Sequence, residues 1–486
     1  MKTLKNLFTT IFLFALVLVS CQTASPPPAT ALEFALVSQV EKGIPVNVQM
    51  TAYRTTLVAD GQDYTLLRAT VIDKDGKEIT SADNTLRIYV DGNAWISRNG
   101  EDEPLPSAID STGREYFKNK LDNGLCLMDF HAGTDPGKIK VEIMSDTLWP
   151  ASHEIHTIPS DVVLMQPDFD TLTTSEKKID RMIGADISFL PQLEAWGMKF
   201  YDQGTEKDAI ELLRDHGFNY IRLRIFVNPE NEKGYSPEKG FCGLDYTLVM
   251  AKRVKDAGMK LLLNFHYSDY WADPQQQNKP LAWAELDFET LKDSLKQYSS
   301  NVLLAFEKQG TPADMVQVGN EVNHGFLWPD GHISNLDNLA ELLKAGVEGV
   351  VSVDPDMPVM MHIALGGQHE ESVFWLDNMI ARGVSFDVIG ISYYPRWHGT
   401  LDDLKSNLIN LSGRYKKHLN VVEYSIFKKE IHDIVFNLPD GLGTGTCIWE
   451  PLGTRWGGMF DENGEVKEVI RVYDELNHLY LTDDHE

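Results

Sequence analysis

Met315-Val-Gln-Val-Gly-Asn-Glu321 is the stretch from which the rest of the chain can be read. Met315 to Val318 alternates like a short buried strand. It then runs into Gly-Asn-Glu, followed by Val322, Asn323 and His324. An ionisable Glu ends a buried apolar run only with a partner or a task, because an unpaired buried carboxylate is costly. Taken alone, Glu321 is equally well explained as a helix cap or the partner of an arginine. A second apolar run, Leu419-Asn-Val-Val-Glu423, ends on Glu in the same way. Two strand-terminal carboxylates meet the requirement of retaining glycoside hydrolysis: one protonates the leaving oxygen and the other attacks the anomeric carbon.

On both sides of this segment, strand-like runs alternate with amphipathic helical stretches, the signature of parallel βα units. The predicted strands are Gly184–Ser188, Tyr220–Phe226, Lys260–His266, Met315–Glu321, Val359–Ala364, Val388–Tyr393, Asn420–Glu423 and Gly445–Trp449. Helices are predicted near Glu206–His216, Asp245–Ala257, Phe288–Gln309, Asn335–Val353, Ser372–Arg382, Leu401–Tyr415, Glu430–Asn437 and Lys467–Leu479. Eight such units across residues 175–486 predict an α/β fold, a (β/α)8 TIM barrel, with its chemistry at the strand C-terminal ends.

Residues 32–160 read as all-β. Val46-Asn-Val-Gln-Met50, Thr65-Leu-Leu-Arg-Ala-Thr-Val71 and Lys138-Ile-Lys-Val-Glu-Ile143 alternate with period two, set off by Asp60-Gly61, Asp75-Gly76 and Asp91-Gly92. This spacing predicts a β-sandwich, joined to the barrel by a linker over residues 161–174. At the start of the chain, Lys2 and Lys5 precede an apolar run from Leu7 to Val19, which closes on Leu18-Val-Ser-Cys21. Residues 1–21 therefore read as a signal peptide, not a spanning helix. Residues 22–31, with Pro26-Pro-Pro28, read as a stiff tether.

The 486 residues carry a formal net charge of -28, are 43% hydrophobic and include ten tryptophans. Such a composition indicates globular domains with large cores. The charge argues against nucleic acid and anionic lipid as partners and suits a neutral substrate. The cysteines Cys21, Cys126, Cys242 and Cys447 lack metal-type spacing. With Cys21 set aside an odd number remains, so at least one thiol is expected to be free. Cys447 reads as a small core residue.

Polar and aromatic residues gather at the predicted strand ends. Arg222 and Arg224 share one face of their strand by alternation, and buried guanidiniums hold a neighbouring carboxylate ionised. His266-Tyr-Ser-Asp-Tyr-Trp-Ala-Asp-Pro274 follows the third strand, Tyr393-Tyr-Pro-Arg-Trp397 closes the sixth, and Trp449-Glu-Pro closes the eighth, with Trp456 close behind. Any one of these aromatics is explained by packing; several strand ends bearing them suit a glycan cleft. The candidates for sugar contact are Asp186, Arg222, Arg224, His266, Tyr267, Asp269, Trp271, Asn320, His324, His362, Tyr393, Tyr394, Trp397, Trp449, Glu450 and Trp456. A metal shared by His266, His324 and His362 is disfavoured, since isolated histidines at barrel mouths more often bond substrate or carboxylates. There is no Gly-rich phosphate loop and no dinucleotide fingerprint.

From about Gly184 onward the chain resembles glycoside hydrolase family 53, the endo-β-1,4-galactanases of clan A. The likeness lies in Gly184-Ala-Asp-Ile-Ser188 with Gly197-Met-Lys-Phe-Tyr-Asp202, in Ile221-Arg-Leu-Arg224, in His266 to Pro274 with Lys279-Pro280, in Val318-Gly-Asn-Glu321 and in Trp449-Glu-Pro451. The segment after the third strand is the most specific; the Asn-Glu pair belongs to the whole clan. The resemblance implies a retaining endo-galactanase whose partner is β-1,4-galactan, the side chain of pectic type I arabinogalactan. It implies Glu321 as acid/base, Glu423 as nucleophile, Asn320 on the sugar 2-hydroxyl, and Trp449 as a subsite floor followed by a peptide bond that is often cis. Alternation puts Asn320 and Glu321 on opposite faces, so a bend or bulge is expected there.

Two departures from the family stand out. Glu423-Tyr-Ser-Ile-Phe427 lacks the proline that often follows the nucleophile, and Tyr424 to Ile448 is short for the calcium-bearing loop of bacterial relatives. No cofactor, metal or calcium is expected. Cleavage of mannan, xylan or β-glucan needs the same carboxylate pair and stays open, as does a non-catalytic surface glycan-binding lipoprotein. Leu18-Val-Ser-Cys21 resembles the lipobox of bacterial lipoproteins, which implies lipidation of Cys21. The expected location is the bacterial cell envelope, at the outer membrane, held only by that lipid. The sandwich resembles immunoglobulin-like modules beside glycosidase domains, in Ala59 to Tyr64 and Val71 to Gly76, which implies a passive spacer more than a carbohydrate binder.

Overall fold

A computed structural model describes residues 43–73, 76–146, 148–454 and 457–482. The signal segment, Cys21, the tether and Trp456 lie outside the described residues. Among the described residues no helix is long and apolar enough to cross a membrane.

The period-two runs form a two-sheet sandwich, as expected. One sheet pairs Ala94–Arg98, Leu125–Ala132, Tyr64–Ile72 and Asn47–Ala52 in that order. The other runs Leu148–Ile158, Gly137–Ser145, Thr85–Asp91, Glu115–Lys120 and Ser107–Ile109, with Thr56–Val58 also on Leu148–Ile158. The sheets join where Asn47 pairs in parallel with Trp149. Alternate residues, among them Val48, Leu67, Ile88, Phe130, Val141 and Ile155, fill the space between them. Asp91-Gly92 is not a hairpin turn: the strands it joins pair in different sheets, so it carries the chain across the sandwich.

The eight barrel strands are Met182–Asp186, Tyr220–Ile225, Lys260–Phe265, Met315–Val318, Val359–Ile363, Val388–Tyr393, His418–Tyr424 and Gly443–Trp449. They close in sequence order, with Gly184 of the first paired to Cys447 of the eighth. Phe288–Gln309 and Leu401–Tyr415 are helical over the predicted spans. Asp287 caps the first through Thr290 N–H at 2.9 Å, and Thr400 with Asp403 forms a capping box on the second. The stretch near Glu206–His216 divides instead. Thr205–Lys207 pairs with Phe200–Asp202, and the helix is Ala209–Asp215, capped by Asp208.

Inside the barrel, Met182, Tyr220, Leu262, Met315, Met360, Val388, Val422 and Cys447 form an apolar layer. Two residues further along their strands, alternation brings Arg222, Asn264, Gln317 and His362 to the same interior face. This polar layer carries the site. Cys126, Cys242 and Cys447 are buried free thiols.

The sandwich packs directly against the barrel. Thr55 and Thr56 N–H donate to Glu371 Oε2 at 2.9 and 3.0 Å. Arg396 Nη2 donates to Pro150 O at 3.2 Å, and Gln49 Nε2 donates to Pro395 O. The His156 ring stacks on His324 at 3.9 Å, and Lys138 Nζ sits 4.4 Å from the Trp328 ring centre. All these contacts fall on segments that follow the fourth, fifth and sixth barrel strands. The linker is docked as well: Met165 N–H donates to Asn378 Oδ1 at 2.9 Å, and Arg382 Nη2 to Val163 O at 2.6 Å.

Candidate active site

The fourth strand stops at Val318, three residues before the predicted end. Gly319 has φ 81°, where a Cβ would lie 2.6 Å from Val322 Cγ1, and Glu321 has φ 50° and ψ 52°. These left-handed residues abolish the alternation and let Asn320 and Glu321 serve one site. Tyr267, Phe427 and Glu450, which follow the third, seventh and eighth strands, also have positive φ, at 50°, 57° and 45°. Backbone strain thus collects at the end of the barrel where the carboxylates stand.

Asn320 Oδ1 accepts from Arg222 Nη2 at 2.9 Å and from Asn264 Nδ2 at 3.1 Å, while its Nδ2 donates to Ala272 O at 2.9 Å. Glu321 Oε1 accepts from Ser392 Oγ at 2.6 Å. Glu423 lies where the seventh strand slips register against the eighth. Its Oε1 accepts from Arg222 Nη1 at 2.7 Å and its Oε2 from the Tyr394 hydroxyl at 3.2 Å. Arg222 Nη1 also reaches Asp186 Oδ2 at 3.0 Å. Arg224 does not contact Glu423; its Nη1 pairs with Glu450 Oε1 at 2.7 Å and Asp186 Oδ1 at 3.4 Å.

Two buried guanidiniums thus pair with three carboxyl groups, Asp186, Glu423 and Glu450, while Glu321 is bonded to a hydroxyl instead. Burial pushes Glu321 well above the usual carboxylate range, and the charge of Glu423 adds to this. Burial also raises Glu450, to about 8, against the pull of Arg224. At Glu423 burial raises the pKa too, but Arg222 opposes it through charge and hydrogen bond. Protonation is therefore favoured more at Glu321 than at Glu423, which a guanidinium holds. The arrangement offers one protonated carboxyl and one carboxylate whose oxygens are both held, the division of labour that two-carboxylate catalysis needs.

Half-buried rings line the space above. Trp271 packs 6.3 Å from Trp449 and 5.8 Å from Phe189, with Arg224 stacked 4.2 Å over Trp271 and 4.4 Å over Phe189. Tyr394 and Trp397 meet edge to face at 6.1 Å. The bond after Trp449 is not cis; among the described residues only Trp328-Pro329 is.

Several sequence candidates lie elsewhere. Tyr267 points outward, stacking on Phe265 and bonding Ser299 Oγ at 2.8 Å, because alternation puts it on the helix side. Tyr393 is buried with its hydroxyl on Gly399 O at 3.2 Å. His324 stands in the seam with the sandwich: Nδ1–H donates to Pro274 O and Nε2 accepts from Thr55 Oγ1, both at 2.9 Å. Asp269 staples loops, accepting from Asn228 N–H at 2.9 Å and Leu281 N–H at 2.7 Å. His266 and His362 lie beneath the surface, as bonding partners of Ala272 N–H and Ser392 Oγ. Gln317, Asn264 and Ser392 were not singled out from sequence. Their signal is a lone polar residue near the end of an apolar strand. Phe189 and Tyr235 come from loops and carry no such signal.

A family model described as Glycosyl hydrolase family 53 matches residues 182–441. The chain belongs to glycosyl hydrolase family 53. A second model, Glycoside hydrolase family 2 C-terminal domain 5, matches residues 48–154, the sandwich. An uncharacterized protein in the bgaB 5' region of Niallia circulans is 38% identical over 58% of this chain and 91% of its own length. Arabinogalactan endo-beta-1,4-galactanase A of Aspergillus niger is 34% identical over 60% of this chain and 94% of its own. Among solved structures, the Ignisphaera aggregans GH53 catalytic domain is 31% identical with a TM-score of 0.57, covering 64% of this chain and 99% of that one. The family 53 match spans the polar layer, Glu321 and Glu423.

Proposed function

We propose that this family 53 protein is a retaining endo-β-1,4-galactanase acting on the galactan side chains of pectic polymers, with Glu321 as acid/base and Glu423 as nucleophile. The carrying observation is the unequal setting of the two carboxyls: Arg222 pairs with Glu423 at 2.7 Å, while burial keeps the proton on Glu321. A Glu423 oxygen attacks the anomeric carbon as the glycosidic C–O bond breaks and Glu321 gives its proton to the leaving oxygen. Water then attacks the anomeric carbon, Glu321 takes the water's proton, and the ester bond to Glu423 breaks. Asn320 keeps one amide hydrogen for the 2-hydroxyl, and Trp271, Trp397 and Trp449 offer ring faces to sugars.

The experiment is incubation with β-1,4-galactan, following product length, viscosity and the anomer first released. Short oligosaccharides with an early viscosity drop and a β-anomer support the reading. Cleavage of mannan, xylan or β-glucan instead of galactan would replace the substrate, and binding without products from any of them would favour the non-catalytic reading.

We also propose that Cys21 carries a lipid and tethers the enzyme to the cell envelope, at the outer membrane. The support is the layout of residues 1–21. Cys21→Ala should release the enzyme from the membrane fraction; retention of that variant on membranes would refute the anchor.

A further inference from the structure

Glu321 must hold one transferable proton on the oxygen that faces the substrate, and a carboxyl group has two oxygens. A hydrogen-bond chain through a buried histidine decides between them. Arg222 Nε–H donates to Gln317 Oε1 at 3.1 Å. A guanidinium cannot accept, so the Gln317 amide is oriented and its Nε2 is a donor. That nitrogen lies 3.1 Å from His362 Nδ1 but gives its two hydrogens to Asn264 Oδ1 at 2.7 Å and Gly319 O at 2.9 Å, while the backbone N–H of Glu321 points at the same ring atom at 3.4 Å. Asn320 Oδ1 is 3.2 Å from Nδ1, but both its lone pairs are engaged by Arg222 and Asn264. With the fixed backbone donor of Glu321 aimed at it and no free acceptor in reach among the described residues, Nδ1 is the unprotonated nitrogen. Burial, with Arg222 adding to it, keeps the ring neutral, so its one hydrogen is on Nε2.

From there each step is forced. His362 Nε2–H donates to Ser392 Oγ at 2.8 Å, and the remaining Ser392 hydrogen goes to Glu321 Oε1 at 2.6 Å. We propose that the chain from the Glu321 backbone N–H through His362 to Ser392 reserves Glu321 Oε1 as an acceptor and so confines the transferable proton to Oε2. The inference rests on Glu321 as the acid/base. Ser392 and His362 are positioning residues, and no proton moves along the chain. A hydroxyl donor favours the ionised carboxylate over the neutral acid. Ser392 therefore matters most in the second half of the reaction, when Glu321 must be a base.

The first test is Ser392→Ala, assayed on an aryl β-galactobioside and on galactan. The basic limb of the pH–rate profile should move to higher pH. Hydrolysis of the glycosyl-enzyme should slow about tenfold or more, so that kcat and KM fall together and a burst of aryl alcohol precedes the steady state. Ser392→Cys, which keeps a weak donor, should recover part of the loss. A fall in kcat with both limbs unmoved, no burst and no recovery by cysteine would mean a packing role only and would overturn the proposal. The second test needs no substrate. In protein labelled with 15N-histidine, the His362 ring, identified by its loss in His362→Gln, should carry its proton on Nε2. A proton on Nδ1 would overturn the chain whatever glycan the enzyme cuts.

Discussion

Arg222→Lys keeps a positive charge at the centre of the site and removes the planar fork that distributes it. Arg222 donates to Gln317 Oε1, Asp186 Oδ2, Glu423 Oε1 and Asn320 Oδ1 at 3.1, 3.0, 2.7 and 2.9 Å. A lysine ammonium is one compact donor on a flexible stem and cannot span these positions. The shortest of the four, to Glu423, is a charge-assisted bond worth about 1.5–3 kcal/mol. Its loss disfavours the ionised nucleophile by about 10-fold to 150-fold at 1.4 kcal/mol per decade. Glu423 must be ionised in the free enzyme, so the limb along which activity falls with falling pH moves to higher pH. The Glu321 limb lies on the other side, so the bell narrows and its maximum drops and shifts alkaline. The assay is kcat/KM against pH on an aryl β-galactobioside, with circular dichroism to confirm the fold. An acid limb that stays in place, or a basic limb that moves more, would refute the assignment of Arg222 as the group that keeps Glu423 ionised.

Glu321→Gln should cost about 10²–10⁴-fold on galactan and much less in the first step on substrates whose leaving group needs no proton; equal losses on both would remove the acid role. Glu371→Gln weakens the acceptor of two buried sandwich N–H groups and should destabilise the protein by about 1–3 kcal/mol in urea unfolding; an unchanged midpoint would show that the seam does not depend on that charge. His332, whose Nε2 lies 3.0 Å from His156 Nδ1 of the sandwich, is pushed by burial down to about 4, and His324 is pushed well below its ordinary value. Their contribution to stability is therefore full above about pH 6.5 and lost as the pH falls through the folded-state values. Glu371 works the other way, because burial raises its pKa. The thermal midpoint of His332→Gln should thus depend less on pH between 6.5 and 4 than that of the parent, and parallel curves would count against the seam histidines.

The barrel was legible because parallel strands buried on both faces read as near-continuous apolar runs, and Val388–Tyr393 and Leu401–Tyr415 fell on their predicted residues. The carboxylate pair was legible because an acid at the end of such a run is conspicuous. What period two could not give was side-chain direction past the strand ends. His324 and Tyr267 are polar or aromatic residues in the right segments, yet left-handed turns and strand parity send them to the seam and to the helix side. The divided work of the arginines was hidden for a related reason. Arg222 and Arg224 share one face, but their two-residue offset along the barrel axis puts Glu423 within reach of the first and Glu450 of the second. The seam itself left no trace in sequence, because Thr55, Gln49 and Glu371 are ordinary surface residue types until two domains meet.

That seam bears on the acid/base. Glu321 sits in a left-handed conformation that a non-glycine residue adopts at a cost of about 1–3 kcal/mol. Such a conformation persists only where its surroundings over-determine it. On the barrel side the restraints are the Glu321 N–H on His362 and Gln277 Nε2, which donates to Asn320 O at 2.8 Å. On the other side, three residues after Glu321, His324 is held by Thr55 and stacked on His156 of the sandwich. The Trp375 indole N–H, from the helix that also carries Glu371, closes the set by donating to Val322 O at 3.0 Å. The sandwich therefore grips the segment that aims the proton donor, and it does so through buried, directional bonds rather than surface contacts. A barrel can be rigid and still leave its strand-end loops free. In this chain the loop that most needs a fixed backbone is the one placed between two cores.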